Sequence, residues 1–223
     1  MERIDASPAF AHAAAEKLAQ IIRHAIREHG NCIIGLSGGS TPGPVYEELA
    51  KEMIDWARVS IFLVDDRCVS SDHPDSNQQL IRSSLLSRLH TQPHLIFHDT
   101  SLPPDEAAAQ YDERLKELLT DRHADLVVLG MGPDGHIASL FPPLGDEASG
   151  PAYAIHTTTN VFTVHDRVSV TLPVLTTAGH AVFLLKGDDK KSLWAEMETS
   201  DENVQRWPAK ALLAAGNVTL ITD

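Results

Sequence analysis

Apolar residues fall along this chain in two alternating rhythms. Short uncharged runs rich in branched side chains read as buried strands: CIIGL (Cys32 to Leu36), VSIFLV (Val59 to Val64), HLIF (His94 to Phe97) and DLVVL (Asp125 to Leu129). AYAIH (Ala152 to His156), VSVTL (Val168 to Leu172), HAVFLL (His180 to Leu185) and VTLI (Val218 to Ile221) continue the series. Between them lie stretches with helical spacing. Phe10, Ala14, Leu18, Ile21, Ile22, Ala25 and Ile26 mark one helix face. Ser7 as N-cap, Pro8 at the first helical position and Gly30 as terminator would delimit that helix. A second helix is expected from Thr41 as N-cap and Pro42 at the first position, and a third over Asn77 to Leu89. A fourth, Pro103 to Leu119, begins with acidic residues that suit the helix dipole. Two more are expected near Lys190 to Glu198 and Pro208 to Ala215. The run DDRCVSSDHPDSN after the second strand, and Pro142 to Pro151, read as polar loops.

Strands alternating with amphipathic helices predict an α/β fold: a Rossmann-like, mostly parallel sheet with helices on both faces. The 223 residues suit one large domain, with room for a small additional lobe. No repeat, low-complexity tract or linker divides the chain, so a single domain over 1–223 is expected.

Composition narrows the partners. A hydrophobic content of 43% is ordinary for a globular core. No apolar stretch approaches the roughly 18 residues of a membrane span, and MERIDASPAF lacks the layout of a signal peptide. The two cysteines, Cys32 and Cys68, have no CxxC spacing, which makes a reducing cytoplasm the expected compartment. Eighteen basic against 31 acidic side chains give a net charge of −13, which argues against non-specific nucleic-acid binding. A small anion needs only a few local cations and backbone amides, so it stays within reach.

The most informative stretch is LGMGPDGHIASLFP, Leu129 to Pro142. Gly130, Gly132 and Gly135 let the backbone turn at the carboxyl end of a strand, where ligands bind in open α/β sheets. Asp134 and His136 sit in that turn, and an imidazole, with an unperturbed pKa of about 6.5, can take a proton from water near neutrality. A second motif, LSGGSTP, runs from a strand into a helix N-terminus without the GKS or GKT of a Walker loop. Its Gly38, Gly39, Ser40 and Thr41 would offer donors to an anion. The same residues match GxSxG, so Ser37 as a nucleophile with His136 as its base is an alternative. Against it, the elbow follows the first predicted strand, and no acid occupies an obvious third-member position. Asp65, Asp66 and Arg67 directly follow the VSIFLV strand; acids there can orient water or a hydroxyl, and Arg67 can offer a planar fork to an oxyanion. Asn77 would fix this loop or cap the next helix. Arg167 and Lys190 are cations placed to hold a phosphate, with Lys186 and Lys191 as competitors. The twelve histidines form no HExxH or other ligand pair at helical spacing, so no metal is expected.

Taken together, LSGGSTP, VDDRCVSSDHPDSN, LGMGPDGHIASLFP, RVSVTLP and KGDDKK resemble the motif series of the 6-phosphogluconolactonases, in that family's order. The resemblance implies a Rossmann-like sheet, no metal or organic cofactor, and hydrolysis of a small phosphosugar lactone, 6-phospho-D-glucono-1,5-lactone. It implies His136 as the base that activates water, Asp65 and Arg67 as assistants, and the glycine-serine loop, Arg167 and Lys190 as phosphate holders. Asp134 would orient His136 or shape the turn. Asp66 stands where the family usually has Glu, and a carboxylate is kept. Glucosamine-6-phosphate deaminase/isomerase is the rival: it carries a glutamate five residues after the histidine, where this chain has Phe141, and a tyrosine where Arg67 stands. A sensor that binds the phosphosugar without catalysis is the remaining alternative.

Overall fold

A computed structural model describes residues 1–223. The chain starts with a short strand, β1 (Glu2–Asp5), followed by helix α1 (Phe10–His29), strand β2 (Cys32–Leu36) and helix α2 (Pro42–Leu49). Strand β3 (Val59–Leu63), strand β4 (Asp65–Arg67), helix α3 (Asn77–Ser84), strand β5 (His94–Ile96) and helix α4 (Pro104–Leu118) come next. After β6 (Leu126–Leu129) the chain forms β7 (Ala154–Thr158), β8 (Asp166–Val170), α5 (Leu172–Thr176), β9 (His180–Leu185), α6 (Asp188–Thr199), α7 (Ala209–Ala215) and β10 (Val218–Thr222).

Seven strands make one sheet in the order β1-β10-β9-β6-β2-β3-β5, parallel throughout. Its inner strands are hydrophobic on both faces because each face packs on a core. In β2, Cys32, Ile34 and Leu36 join the core shared with α1, α2 and α3 through Leu18, Val45 and Ile81. Ile33 of β2 points to the opposite core, with Tyr111 of α4, Leu175 of α5, Trp194 of α6 and Leu212 of α7. Helices therefore cover both faces, as the sequence pattern predicts. The additional lobe is a three-stranded sheet, β4-β8-β7, antiparallel at both pairings. Val168, Val170 and Ala154 seat it on the second core. No helix is long and apolar enough to cross a membrane.

Four local expectations are corrected. The first helix begins at Phe10 with Ala9 at its cap, not at Ser7 and Pro8. The reason is β1: its pairing with β10 continues as Ala6 N–H donates to Thr222 O (2.8 Å), so the chain is still extended there. Thr41 precedes α2 with helical backbone angles and makes no capping bond. DDR is not loop but β4, and the runs read as AYAIH and VSVTL belong with it in the small sheet. Asn77 to Leu89 breaks after Ser84 into a 3₁₀ turn at Leu86–Arg88. Gly30 does end α1, in the left-handed region.

Because all seven strands run one way, their carboxyl ends share one edge. From β2 the chain first adds β3 and β5 on one side, then returns to place β6 on the other. The crevice between the ends of β2 and β6 is the topological switch point, where loops diverge and leave room for a ligand.

Candidate active site

A cleft of about 220 Å³ opens at that switch point. Ser37, Gly38 and Gly39 enter it from the end of β2, and Gly130, Gly132 and His136 from the end of β6. Asp65 and Arg67 of β4, Asn77 of α3, Arg167 of β8 and Lys190 of α6 complete the predicted residues that line it. Ser40 and Thr41 do not line the cleft. Ser40 is exposed, and Thr41 has already turned into the helix. Asp134 faces a neighbouring open hollow of about 700 Å³, yet its carboxylate reaches His136.

The imidazole is held on several sides. Asp134 Oδ1 lies 2.5 Å from His136 Nδ1 and also accepts the His136 backbone N–H at 3.3 Å. Burial raises the Asp134 pKa, but the hydrogen bond and charge of His136 outweigh it and leave the carboxyl below its ordinary value. An ionised carboxylate only accepts, so when the imidazole is neutral its one proton sits on Nδ1, facing Asp134, and Nε2 carries the lone pair. Gly132 lies beneath the ring: a Cβ there would come within 2.1 Å of His136 Cε1, so this position requires glycine. Phe141 packs on the ring at 4.7 Å between centroids.

The small sheet fixes the charged groups. Buried Asp65 accepts from Ser139 Oγ (2.6 Å) through Oδ2, and its backbone carbonyl accepts from Asn77 Nδ2 (2.8 Å). Arg67 Nη1 donates to Asn77 Oδ1 (2.9 Å) and to Asp75 O (2.8 Å). Asn77 thus fixes the loop, while Ser76 takes the cap position of α3. Asp66 accepts backbone N–H groups from Asn77 (2.6 Å), Arg67 (2.8 Å) and Gln78 (3.2 Å). Burial pushes its pKa up to about 6 despite those donors. Asp66 is therefore tied to the start of α3 and does not line the cleft. Arg67 and Arg167 are register partners across β4 and β8. Burial, then the charge of Arg67, lowers the Arg167 pKa; burial alone lowers that of Lys190. Lys186 and Lys191 do not line this cleft, and Lys191 is bound instead to Asp223 O (3.0 Å) and Asp188 (2.9 Å).

A carboxylate-held imidazole with a free nitrogen can deprotonate water, and cations that lack carboxylate partners can take an anion or an oxyanion. The serine alternative lacks its first requirement. Ser37 Oγ is buried with no hydrogen-bond partner, so the nucleophile–base contact is absent. Nowhere do three or more His, Cys, Asp or Glu side chains gather as a metal site would need. Three contributors escaped the sequence reading: Ser139, Phe162 and Arg206. Arg206 Nη1 donates to Asp134 O (2.8 Å), and its guanidinium stacks on the buried Trp207 ring at 3.7 Å. Nothing in QRWP signals contact with a turn so far away in sequence.

Fold and cleft together define a doubly wound α/β protein with a cationic, imidazole-bearing site at its switch point. The chain belongs to the family described as glucosamine-6-phosphate isomerases/6-phosphogluconolactonase, which it matches over residues 5–221. It is 40% identical over 210 residues to a probable 6-phosphogluconolactonase of Dictyostelium discoideum, covering 90% of this chain and 87% of that protein. Among solved structures, a 6-phosphogluconolactonase from Plasmodium vivax superposes with a TM-score of 0.87 at 31% identity, covering 100% of this chain and 89% of that one. A 6-phosphogluconolactonase from Shewanella baltica gives 0.89 at 28% identity, covering 99% and 95%.

Proposed function

We propose that this chain hydrolyses 6-phospho-D-glucono-1,5-lactone to 6-phospho-D-gluconate, the lactone-opening step of the oxidative pentose phosphate pathway. One domain spanning 1–223 performs it. The observation that carries the mechanism is His136, held by Asp134 at 2.5 Å, on the wall of a cleft with Arg67, Arg167 and Lys190. His136 Nε2 takes a proton from water as the oxygen attacks the lactone carbonyl. Arg67 stabilises the oxyanion, and Asp65 orients the water or a sugar hydroxyl. Collapse of the tetrahedral species breaks the bond to the ring oxygen, which receives the proton from the His136 imidazolium. Arg167, Lys190 and the Gly38-Gly39 backbone hold the phosphate, and Asn77 keeps Arg67 in place. Ser40 and Thr41, outside the cleft wall, are left out of this set. A lactone is an activated ester, so one base and one oxyanion stabiliser suffice without a cofactor. The two free cysteines fit a reducing cytoplasm.

Phe141 supports hydrolysis over deamination, because it cannot move a proton where the rival family has its glutamate. The test is the rate of lactone loss against its spontaneous decay, for wild type and His136→Ala. The wild type should exceed the blank, and the variant should lose about 10²–10⁴-fold. A wild type at the blank rate refutes the activity; an undiminished His136→Ala refutes the base.

A further inference from the structure

Phe162 stands at the tip of the β7–β8 hairpin, the one aromatic ring in a stretch of Thr, Asn and Val between Thr157 and His165. The tip is closed by Thr159 N–H donating to His165 O (3.1 Å) and Val161 N–H donating to Thr159 Oγ1 (3.2 Å). Its neighbour Val161 is 67% exposed. Phe162 instead turns inward, and its ring meets the His136 imidazole edge to face, with centroids 5.3 Å apart at 78°. It also lies 6.0 Å from Phe141, the other ring on that imidazole. The Arg167 guanidinium carbon also sits 5.9 Å from the Phe162 centroid, and Arg167 Nε donates to Val164 O (3.0 Å) in the same tip. One aromatic ring therefore touches both the imidazole and a cation of the cleft.

A single hydrogen bond to Asp134 fixes the direction of Nδ1 but not the tilt of the ring about that direction. Packing on the remaining sides supplies the missing constraint. Gly132 and Phe141 come from the same turn as His136; Phe162 arrives from another sheet, and it also covers the imidazole against solvent. An edge-to-face aromatic contact adds attraction and a preferred geometry beyond the area it buries.

We propose that Phe162 is a positioning residue for His136, and that the hairpin tip ties the base to the cationic end of the cleft. The kinetic part of this proposal rests on His136 being the base of the lactonase reaction. It is tested with wild type, Phe162→Ala, His136→Ala and the double variant. Phe162→Ala should lower kcat about tenfold and change KM less than about twofold, and the loss should vanish in the His136→Ala background, because coupled residues are not additive. Proton NMR of the free protein gives a second reading: the downfield signal of the Asp134–His136 hydrogen bond should be sharp in wild type and broadened by solvent exchange in Phe162→Ala. An unchanged kcat, an equal loss in both backgrounds, or a KM that rises as much as kcat falls would overturn the proposal. If the wild type itself works only at the blank rate, the lactonase reading fails, and the NMR signal decides the role of Phe162 alone. An unaltered line in Phe162→Ala then overturns it.

Discussion

A proton's location on His136 depends on one neighbour. Asp134 holds the Nδ1 proton, which leaves Nε2 basic. In Asp134→Asn the amide can present its N–H to Nδ1, which favours the opposite tautomer and occupies Nε2 with a proton. With KM nearly constant, kcat should fall roughly 10–10²-fold. Unchanged turnover in this variant would mean that Asp134 only shapes the turn. His98 illustrates the reverse situation, a buried imidazole without a catalytic task. It is 4% exposed, and its Nε2 has no partner. Gln78 Nε2 donates to its backbone carbonyl (2.9 Å), and the Tyr111 ring packs on it edgewise at 6.1 Å. Burial depresses its pKa to about 4, against the opposing pull of Asp99 and Asp65. Between that value and the unfolded one, near 6.5, the unfolded chain binds more protons than the folded one. Stability contributed by neutral His98 is thus intact above 6.5 and lost as pH falls towards 4, by on the order of 3 kcal/mol. Urea midpoints measured at about pH 7 and about pH 4.5 should differ less in His98→Phe than in wild type. An equal difference in both proteins would assign the acid loss to other groups.

At the scale of elements, legibility followed burial. β2, β3, β6 and β9 were readable because both faces pack on apolar cores, which demands uninterrupted runs of branched residues. β1, with sequence ERID, is an edge strand paired on one side only, and its polar residues carry no such signal. β4 is short and charged, so DDR resembles a loop until its partner β8 is known. The same logic divides the site. Asp65, Arg67, His136 and Asp134 lie at strand ends or in glycine-rich turns that chemistry singles out, whereas Ser139, Phe162 and Arg206 matter only through contacts distant in sequence. The turn after β6 shows how such contacts accumulate. Gly135 has φ +87°, and a Cβ on it would lie 2.7 Å from the buried Trp207 ring and 2.9 Å from Arg206 Nη1. Gly135→Ala combines a left-handed backbone with a clash against a fully packed ring, so it should cost about 1–3 kcal/mol and lower kcat. Arg206→Ala leaves the backbone free and removes the bond to Asp134 O together with the stacking on Trp207. Its thermal midpoint should move less than that of Gly135→Ala, while kcat still falls severalfold. A large loss of midpoint with kcat intact would make Arg206 a structural clamp and nothing more.

Across the whole molecule, two sheets of opposite character meet at one place. Val64, following β3, donates to Leu36 O (3.0 Å) and accepts from Val170 N–H (2.9 Å), so the large sheet runs directly into the small one. The junction sets Arg67 opposite Arg167 across an antiparallel pair, where like charges disfavour pairing. Arg167 is also 6% exposed, so water screens the repulsion poorly. The protein as a whole carries a net charge of −13, which would repel an anion at long range. At physiological salt that field is screened beyond about 8 Å, and the local cations govern what binds. An anion seated between the arginines would relieve their repulsion. Phosphate or 6-phosphogluconate at about ten times its Kd should therefore add about 1.4 kcal/mol of stability, which is about 3–6 °C in thermal midpoint for a chain of this size. Added chloride should shrink the shift by competing for the same charges. Arg167→Gln removes one of the opposed cations, so the unliganded variant should melt no lower than about 2 °C below wild type and should lose most of the ligand-induced rise. If Arg167→Gln keeps the full rise, the anion sits elsewhere and the opposed arginines serve another purpose.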